Sequence, residues 1–541
     1  MKKVNIILLV VTVYIVGSCS DDAFLTRTNP GSIPEEKIYS DPALMELAVN
    51  EMYLNLPGFM FHGGRMYSNI ADVSRSYWGG GPLDVVEGQW GPDYNPMEYW
   101  PYNAIRQANM FLSNVDESAA EEELKKSLKG QVKFIRAFQY FKMIKRYGGV
   151  PVLAEPQSLD DELLVERQSA DSSFAFVVNE LGEAINLLPE THGDQATDIS
   201  RANKRSAKAL LGRVMLFWAS PLYNPGEDMS RWEKAATINK EIIDSGAYEL
   251  HSDFRRIMLD KNNNEEIFSI QYQKPQRQHG WDSMNMPDSR SKENAVSHSP
   301  IHEFAQAFEM KNGKRIDDPG SGYDPSDPWE NRDPRFHATL ILNGEEYRGD
   351  PVNMSVNSPT KDRILSPYAT LTGYLLEKGM DESNTDFYGN TGSDQNWTEL
   401  RFAEVLLNFA EAKNEASGSP DQTVYNAVER VRERAGLDPY QLPAGLTKEQ
   451  MRERIRHERY VELAFENKRY WDLRRWKTAV ERLDGKMFHA LHLTEQEDGS
   501  YTRELEPIIQ GPYVFEEHMY FMPIPRDEIE KNPNLEQNPG W

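Results

Sequence analysis

Apolar residues recur at three- and four-residue spacing over most of this chain, the period of a helix with one buried face. A helix opens at Asp41-Pro42 and runs through Leu44, Leu47, Ala48, Met52 and Leu56, with proline well placed in its first turn. A second covers 100 to about 115, with Ile105, Ala108 and Leu112 on one face. A third, over 121–147, carries Leu124, Leu128, Val132, Ile135, Phe138, Phe141 and Ile144, and stops at Gly148-Gly149 before Pro151. Further helices are predicted over 174–188, 204–218, 232–245, 400–416, 424–435 and 446–465, the last opened by a Thr447/Gln450 capping box.

Period-two alternation is scarcer. It marks 267–272 as a strand, and 338–342 as a strand entering the Asn343-Gly344 turn. The stretches 57–98, 273–300 and 345–396 are rich in Gly, Pro, Asn, Asp, Ser and aromatics and read as long loops. Long loops on a helical scaffold commonly carry function. Helices that follow one another in pairs resemble tetratricopeptide units, although the strict consensus and even spacing are absent. The expected class is mainly α.

The N-terminus changes the picture. Met1-Lys2-Lys3, the apolar run 6–11 and small residues before a cut are the grammar of a secretory signal. The ending Val16-Gly17-Ser18-Cys19 resembles the bacterial lipobox, in which the thiol takes a diacylglyceryl group. Cys19, the chain's one cysteine, is therefore the expected lipid anchor, with 1–18 as signal peptide, 19–34 as tether and 35–541 as a single globular domain. Each buried methylene of an acyl chain contributes roughly 0.8 kcal/mol, so a multiply acylated end stays in the membrane. One cysteine also excludes a disulfide scaffold and a cysteine-ligated zinc site. The apolar run is shorter than the ~20 residues of a spanning helix.

The formal net charge of -25 argues against nucleic acid, which demands a basic stripe, and against electrostatic adhesion to anionic lipid. Eleven Trp and 25 Tyr exceed the needs of a core. Some are expected on the surface, where such rings serve recognition.

The C-terminal third carries long motifs. Residues 400–412 read LRFAEVLLNFAEA and 428–437 read VERVRERAGL. Residues 458–466 read ERYVELAFE, 469–476 read RYWDLRRW, and Pro523-Ile524-Pro525 precedes a terminal Gln537-Asn538-Pro539-Gly540-Trp541. Asn331-Arg332-Asp333-Pro334-Arg335-Phe336 lies upstream. In this order these segments resemble the SusD/RagB family over nearly the whole mature chain. The resemblance implies a helical body of four tetratricopeptide-like helix pairs plus a loop-rich ligand-binding region. It implies an outer-membrane lipoprotein facing the cell exterior. Such a protein captures glycan, or peptide in the RagB branch, for a SusC-like TonB-dependent transporter, and does no chemistry. No cofactor or metal is expected.

Sugar rings present apolar C–H faces edged by hydroxyls, and flat aromatic platforms with polar partners suit them. Two loops, 72–99 and 273–300, interleave such residues. Trp78, Trp90, Tyr94 and Trp281 are the candidate platforms, and Arg75 and Asp282 the polar partners. Trp281 has no apolar sequence neighbours, so exposure is expected.

No H-E-x-x-H, G-x-S-x-G, P-loop or dinucleotide fingerprint is present. Glu458 and Glu462 could be drawn as an acid pair for a surface glycoside hydrolase. Their helical spacing with Glu466, beside Arg452, Arg456 and Arg459, points instead to ion pairs bracing neighbouring elements. A pure assembly protein that binds no small ligand is the third class.

Overall fold

The computed structural model describes residues 35–60, 65–193, 199–291, 296–387 and 391–541. The predicted anchor Cys19 and its tether lie outside them. The principal helices are α1 (Pro42–Leu54), α2 (Tyr102–Asn114), α3 (Glu122–Tyr147), α4 (Ala170–Leu187) and α5 (Lys204–Ala219). Later come α6 (Met229–Asp244), α7 (Phe402–Ala416), α8 (Gln422–Ala435), α9 (Lys448–Glu462) and the short α10 (Arg469–Arg475). The Asp41 side chain caps α1, and Thr447 with Gln450 forms the expected box on α9.

The helices pack as α2 with α3, α4 with α5, α6 with α7 and α8 with α9, and α3–α4, α5–α6 and α7–α9 contacts join the pairs. The fold is mainly α, as the periodicity implied. Residues 245–401 are inserted between the partners of the third pair. One hydrophobic cluster runs from Met45 to Leu535. Ala403, Ala410 and Ala412 are wholly buried, which lets neighbouring helices approach α7 closely.

The buried face of α1 differs from expectation. Met45, Val49 and Met52 are buried, whereas Leu47 is 59% exposed. This helix carries apolar residues on several sides, so spacing alone does not select the inward stripe.

α3 ends at Gly148, whose φ of 74° suits glycine. At Gly149 an added Cβ would stand 1.8 Å from the Gln168 carbonyl oxygen. Gly149→Ala is therefore expected to lose about 1–3 kcal/mol of stability through overpacking. An unchanged thermal midpoint would contradict that close approach.

Strands are short and antiparallel. β1 (Ser74–Arg75) pairs with β3 (Ser299–Pro300), and β2 (Glu266–Ile270) with β4 (Trp397–Arg401). The predicted 338–342 strand shrinks to Leu340–Ile341, because Arg335–Thr339 is helical. The longest ladder, β5 (His489–Glu495) with β6 (Tyr501–Pro507), was not expected. Its signal is Asp498-Gly499 between alternating segments, the chemistry of a hairpin turn.

A continuous ion-pair network ties the scaffold together. Among the described residues it joins six cations (Arg335, Lys378, Arg401, Arg432, Arg434 and Arg454) to six carboxylates (Glu265, Glu309, Asp333, Glu458, Glu462 and Glu466). Arg401 reaches Glu265 at 2.6 Å and Glu462 and Glu466 at 2.7 Å. Arg452 and Arg459 pair with Glu415 of α7 and Asp472 of α10, the bracing expected from the charge pattern, whereas Arg456 pairs with Glu453 of its own helix.

Candidate functional site

The chain leaves β1 at Ser76 and reaches the surface at Tyr77 and Trp78. The turn Gly79-Gly80-Gly81 then feeds a short helix, Pro82–Val86. The Tyr77 N–H donates to the Val296 carbonyl (3.3 Å), and the Val296 N–H donates to the Tyr368 carbonyl (2.9 Å). Val296 thus stitches together two loops that are far apart in the sequence. Tyr77, Trp78 and Tyr368 meet as a triangle, with ring centroids 6.0 Å (77–78), 5.7 Å (77–368) and 5.8 Å (78–368) apart. Trp78 is 38% and Tyr368 42% exposed.

Polar groups flank the triangle. The Arg65 guanidinium lies 5.8 Å from the Trp78 ring, within cation–π range. Gln510 donates to the Ser76 carbonyl at 2.8 Å, and exposed Arg363 donates to the Ser366 hydroxyl at 3.1 Å. Tyr368 has φ 72° and Leu365, in the same turn, φ 62°. A bulky side chain in the left-handed region stores on the order of 1–3 kcal/mol, and such strain concentrates at ligand-binding sites. The Val296 hydrogen bond and the ring contacts sustain this turn beside Trp78.

Tyr94, 45% exposed, flanks the glycine turn. Its hydroxyl donates to Asp84 at 2.7 Å, and burial together with Asp84 raises the phenol above its ordinary range.

Four expected site residues are not at the surface. Trp90 is buried against the C-terminal Trp541, with centroids 4.6 Å apart. Trp281 is only 1% exposed. It packs against Phe59 (5.9 Å) and His298 (5.3 Å), and its indole N–H donates to the Lys378 carbonyl. Its apolar neighbours come from distant segments, so its polar sequence context misled. Arg75 is sealed between Phe488 and Tyr513 and donates to the carbonyls of Ala71 and Ser74, both at 2.8 Å. Burial lowers it to about 10. Asp282 is wholly buried and accepts from the Asp381 N–H, Asn384, Ser393 and Gln395 at 2.7–2.9 Å, which pins the 381–395 loop. Burial raises its carboxyl. These two polar residues position loops and have no face toward a ligand.

Tyr77 and Tyr368 pack with Trp78 in this candidate site, yet of the three the sequence alone points to Trp78. Tyr77 stood in the chosen loop and Tyr368 in the long stretch 345–396, where Ser366-Pro367 announces a turn.

The family model described as SusD family matches residues 264–541. The chain belongs to the SusD family. A second model, described as starch-binding and associating with outer membrane, matches residues 47–216. Over 100% of both chains the sequence is 25% identical to SusD-like protein P2 of Formosa agariphila. A SusD-like carbohydrate binding protein from Bacteroides fragilis superposes with a TM-score of 0.79 at 25% identity, covering 92% of this chain and 100% of that one. Another SusD-like protein of the same species gives 0.77 at 27% identity, over 94% and 100%.

The SusD-family signature segments do not build the aromatic triangle. Arg401, Arg432, Arg434, Glu458, Glu462 and Glu466 all belong to the buried ion network. Glu458 and Glu462 are at most 1% exposed and committed to Arg335, Arg401, Arg432 and Arg434, so this pair does not face a substrate. The shared motifs hold the scaffold, and the triangle stands on loops outside them.

Proposed function

We propose that this SusD-family chain is a non-catalytic, cell-surface lipoprotein of the outer membrane. It is anchored through Cys19, captures oligosaccharide on Tyr77, Trp78 and Tyr368, and passes it to a SusC-like TonB-dependent transporter. The exposed triangle carries the reading. Three rings in mutual contact offer a broad apolar surface for sugar C–H faces, and Arg65, Arg363 and Gln510 offer donors to the hydroxyls. Tyr94 extends the surface past the glycine turn. The similar SusD-like carbohydrate binding protein of Bacteroides fragilis and the family described as starch-binding support the ligand class. A net charge of -25 leaves the acyl chains as the means of membrane attachment.

The test is a glycan and peptide array, followed by calorimetry of each hit with wild type and Trp78→Ala. Loss of a central aromatic anchor commonly costs ~2 kcal/mol or more, which is at least tenfold in Kd. Unchanged affinity for every glycan bound would sink the platform. Hits among peptides alone would move the ligand class to peptide. Glycan hydrolysis by the purified protein would overturn the non-catalytic role.

A further inference from the structure

A cavity of about 240 Å³ lies apart from the aromatic triangle, between α3, β4, α10 and residues 57–60. Exposed Gly58 and Glu98 stand at its rim, and Phe141, Phe217, Trp397 and Trp471 supply apolar wall. Lys145 of α3 points its ammonium into this space. The residue is 8% exposed, and the ammonium sits 4.1 Å from the Trp471 ring centroid and 5.9 Å from that of Phe141. Among the described residues no oxygen accepts a hydrogen bond from it and no carboxylate pairs with it.

Of the acids that line the cavity, Glu466 and Asp472 are engaged with Arg401 and Arg475, Glu399 and Glu404 with cations of the cavity wall, and exposed Glu98 stands at the rim. Glu399 pairs with Lys142 at 3.1 Å and Arg213 at 2.6 Å. Glu404 pairs with Arg213 at 2.6 Å and Lys468 at 3.3 Å. Arg146 gives its donors to the carbonyls of Met97 and Lys142 and to the Tyr67 hydroxyl. Six cations, these five and Arg459, and five carboxylates, Glu98, Glu399, Glu404, Glu466 and Asp472, thus line one cavity, and among the described residues Lys145 is the cation whose donors meet no oxygen. A buried charge without a partner is strongly unfavourable, and a bound counter-ion relieves it.

We propose that this cavity binds a small organic carboxylate, with Lys145 as its ion partner and the ring of Trp471 against its body. The volume far exceeds that of a monatomic anion, since even a water occupies only about 30 Å³ of liquid. The aromatic walls suit an apolar or C–H-bearing body behind the charged end. Burial and the neighbouring cations Lys142 and Arg146 push the Lys145 amine well below its ordinary value, and Lys142 falls to about 8. An anion in the cavity reverses that push, so binding and protonation of Lys145 reinforce each other. The site does not depend on the glycan reading.

The experiment follows the thermal midpoint of the whole mature protein as sodium acetate or sodium D-glucuronate is added at constant ionic strength. Sodium chloride and D-glucose are the controls. The expected result is a rise of about 2–4 °C that grows with the logarithm of carboxylate concentration above Kd, for one or both carboxylates, and none with the controls. Lys145→Met should abolish the rise and leave the glycan affinity of the Trp78 surface unchanged. An equal rise with chloride, no rise with either carboxylate, or a rise that survives in Lys145→Met overturns the proposal. Crystals grown in acetate give a reading that needs no variant. Acetate at hydrogen-bond distance from Lys145 Nζ supports the site, and an empty cavity at saturating acetate overturns it.

Discussion

Glu462→Gln is expected to be among the most damaging single substitutions in this protein, lowering stability by about 3–5 kcal/mol. Glu462 is wholly buried at the C-terminal end of α9. Its carboxylate accepts from Arg401 at 2.7 Å, Arg335 at 3.0 Å and Arg434. Burial favours the neutral acid, but Arg434, Arg401 and Arg335 overcome it and hold the carboxyl far below its ordinary range. Glutamine keeps the shape and removes the charge, leaving three buried guanidiniums short of an anion. The comparison variant is Glu123→Gln. Its pair with Lys126 is solvent-exposed, and such pairs contribute ~0–1 kcal/mol. Chemical denaturation should separate the two variants by several kcal/mol. Equal midpoints would show that the network is not what holds β4, α8 and α9 together.

That network also explains what was legible in the sequence. Helix positions were readable because α3 and α7 repeat apolar residues with the helical period. The ion pairs of α9 were readable as a class because acids and bases alternate at the same period. Their partners were not, since Arg335 and Arg401 reach α9 from remote segments. The same limit separates the site residues. Trp78 stands beside three glycines in a polar turn, and its exposure followed from that context. Trp281 sits in an equally polar stretch, yet Phe59 and His298 close over it. Tyr368 joins Trp78 across loops tied together by Val296 and by the Leu371–Ser299 bond, contacts that no local pattern records.

A division of labour follows from these positions. Residues that repeat as family motifs serve α7–α10 and the buried ion pairs, whose geometry tolerates little change. The rings proposed as the platform stand on loops whose backbone is held by a few hydrogen bonds and two left-handed residues. Those rings can be exchanged without disturbing the charged core. Specificity within the SusD fold is therefore expected to reside in the 72–99 and 345–396 stretches.

Acid should unfold the protein in a pH range set by histidines before the ion network titrates. His298 is wholly buried, accepts the Met66 N–H at 3.2 Å and donates to the Asn285 side-chain oxygen at 2.7 Å. His279 accepts the Trp281 N–H and donates to the Gln395 carbonyl. Each ring is thus locked neutral, and protonation would set an N–H against an N–H. Burial lowers His298 to about 3 and His279 to about 4, and it likewise lowers His302 to about 4 and His457 to about 3. In the unfolded chain these rings titrate near 6.5. The unfolded state therefore binds more protons below that pH, and the stability these rings provide is lost as pH falls from about 6.5 toward 3–4. Between pH 7 and 5 a deeply shifted ring costs about 2 kcal/mol. Glu377 opposes this, because burial raises it to about 7 and folding gains as it protonates. Burial also raises Asp282, Glu266, Glu98 and Asp288, and these oppose the rings in the same sense. Burial alone would raise Glu404 and Glu411, but Arg213 and Arg475 overcome it and hold both at about 2. Their contribution is lost only below the unfolded value of about 4.3. Stability measured by denaturant titration should thus fall from pH 6 to pH 4. In His298→Gln the difference between pH 7 and pH 5 should shrink by about 2 kcal/mol, whatever the variant's absolute stability. An unaltered difference would remove His298 from the groups that set the acid sensitivity.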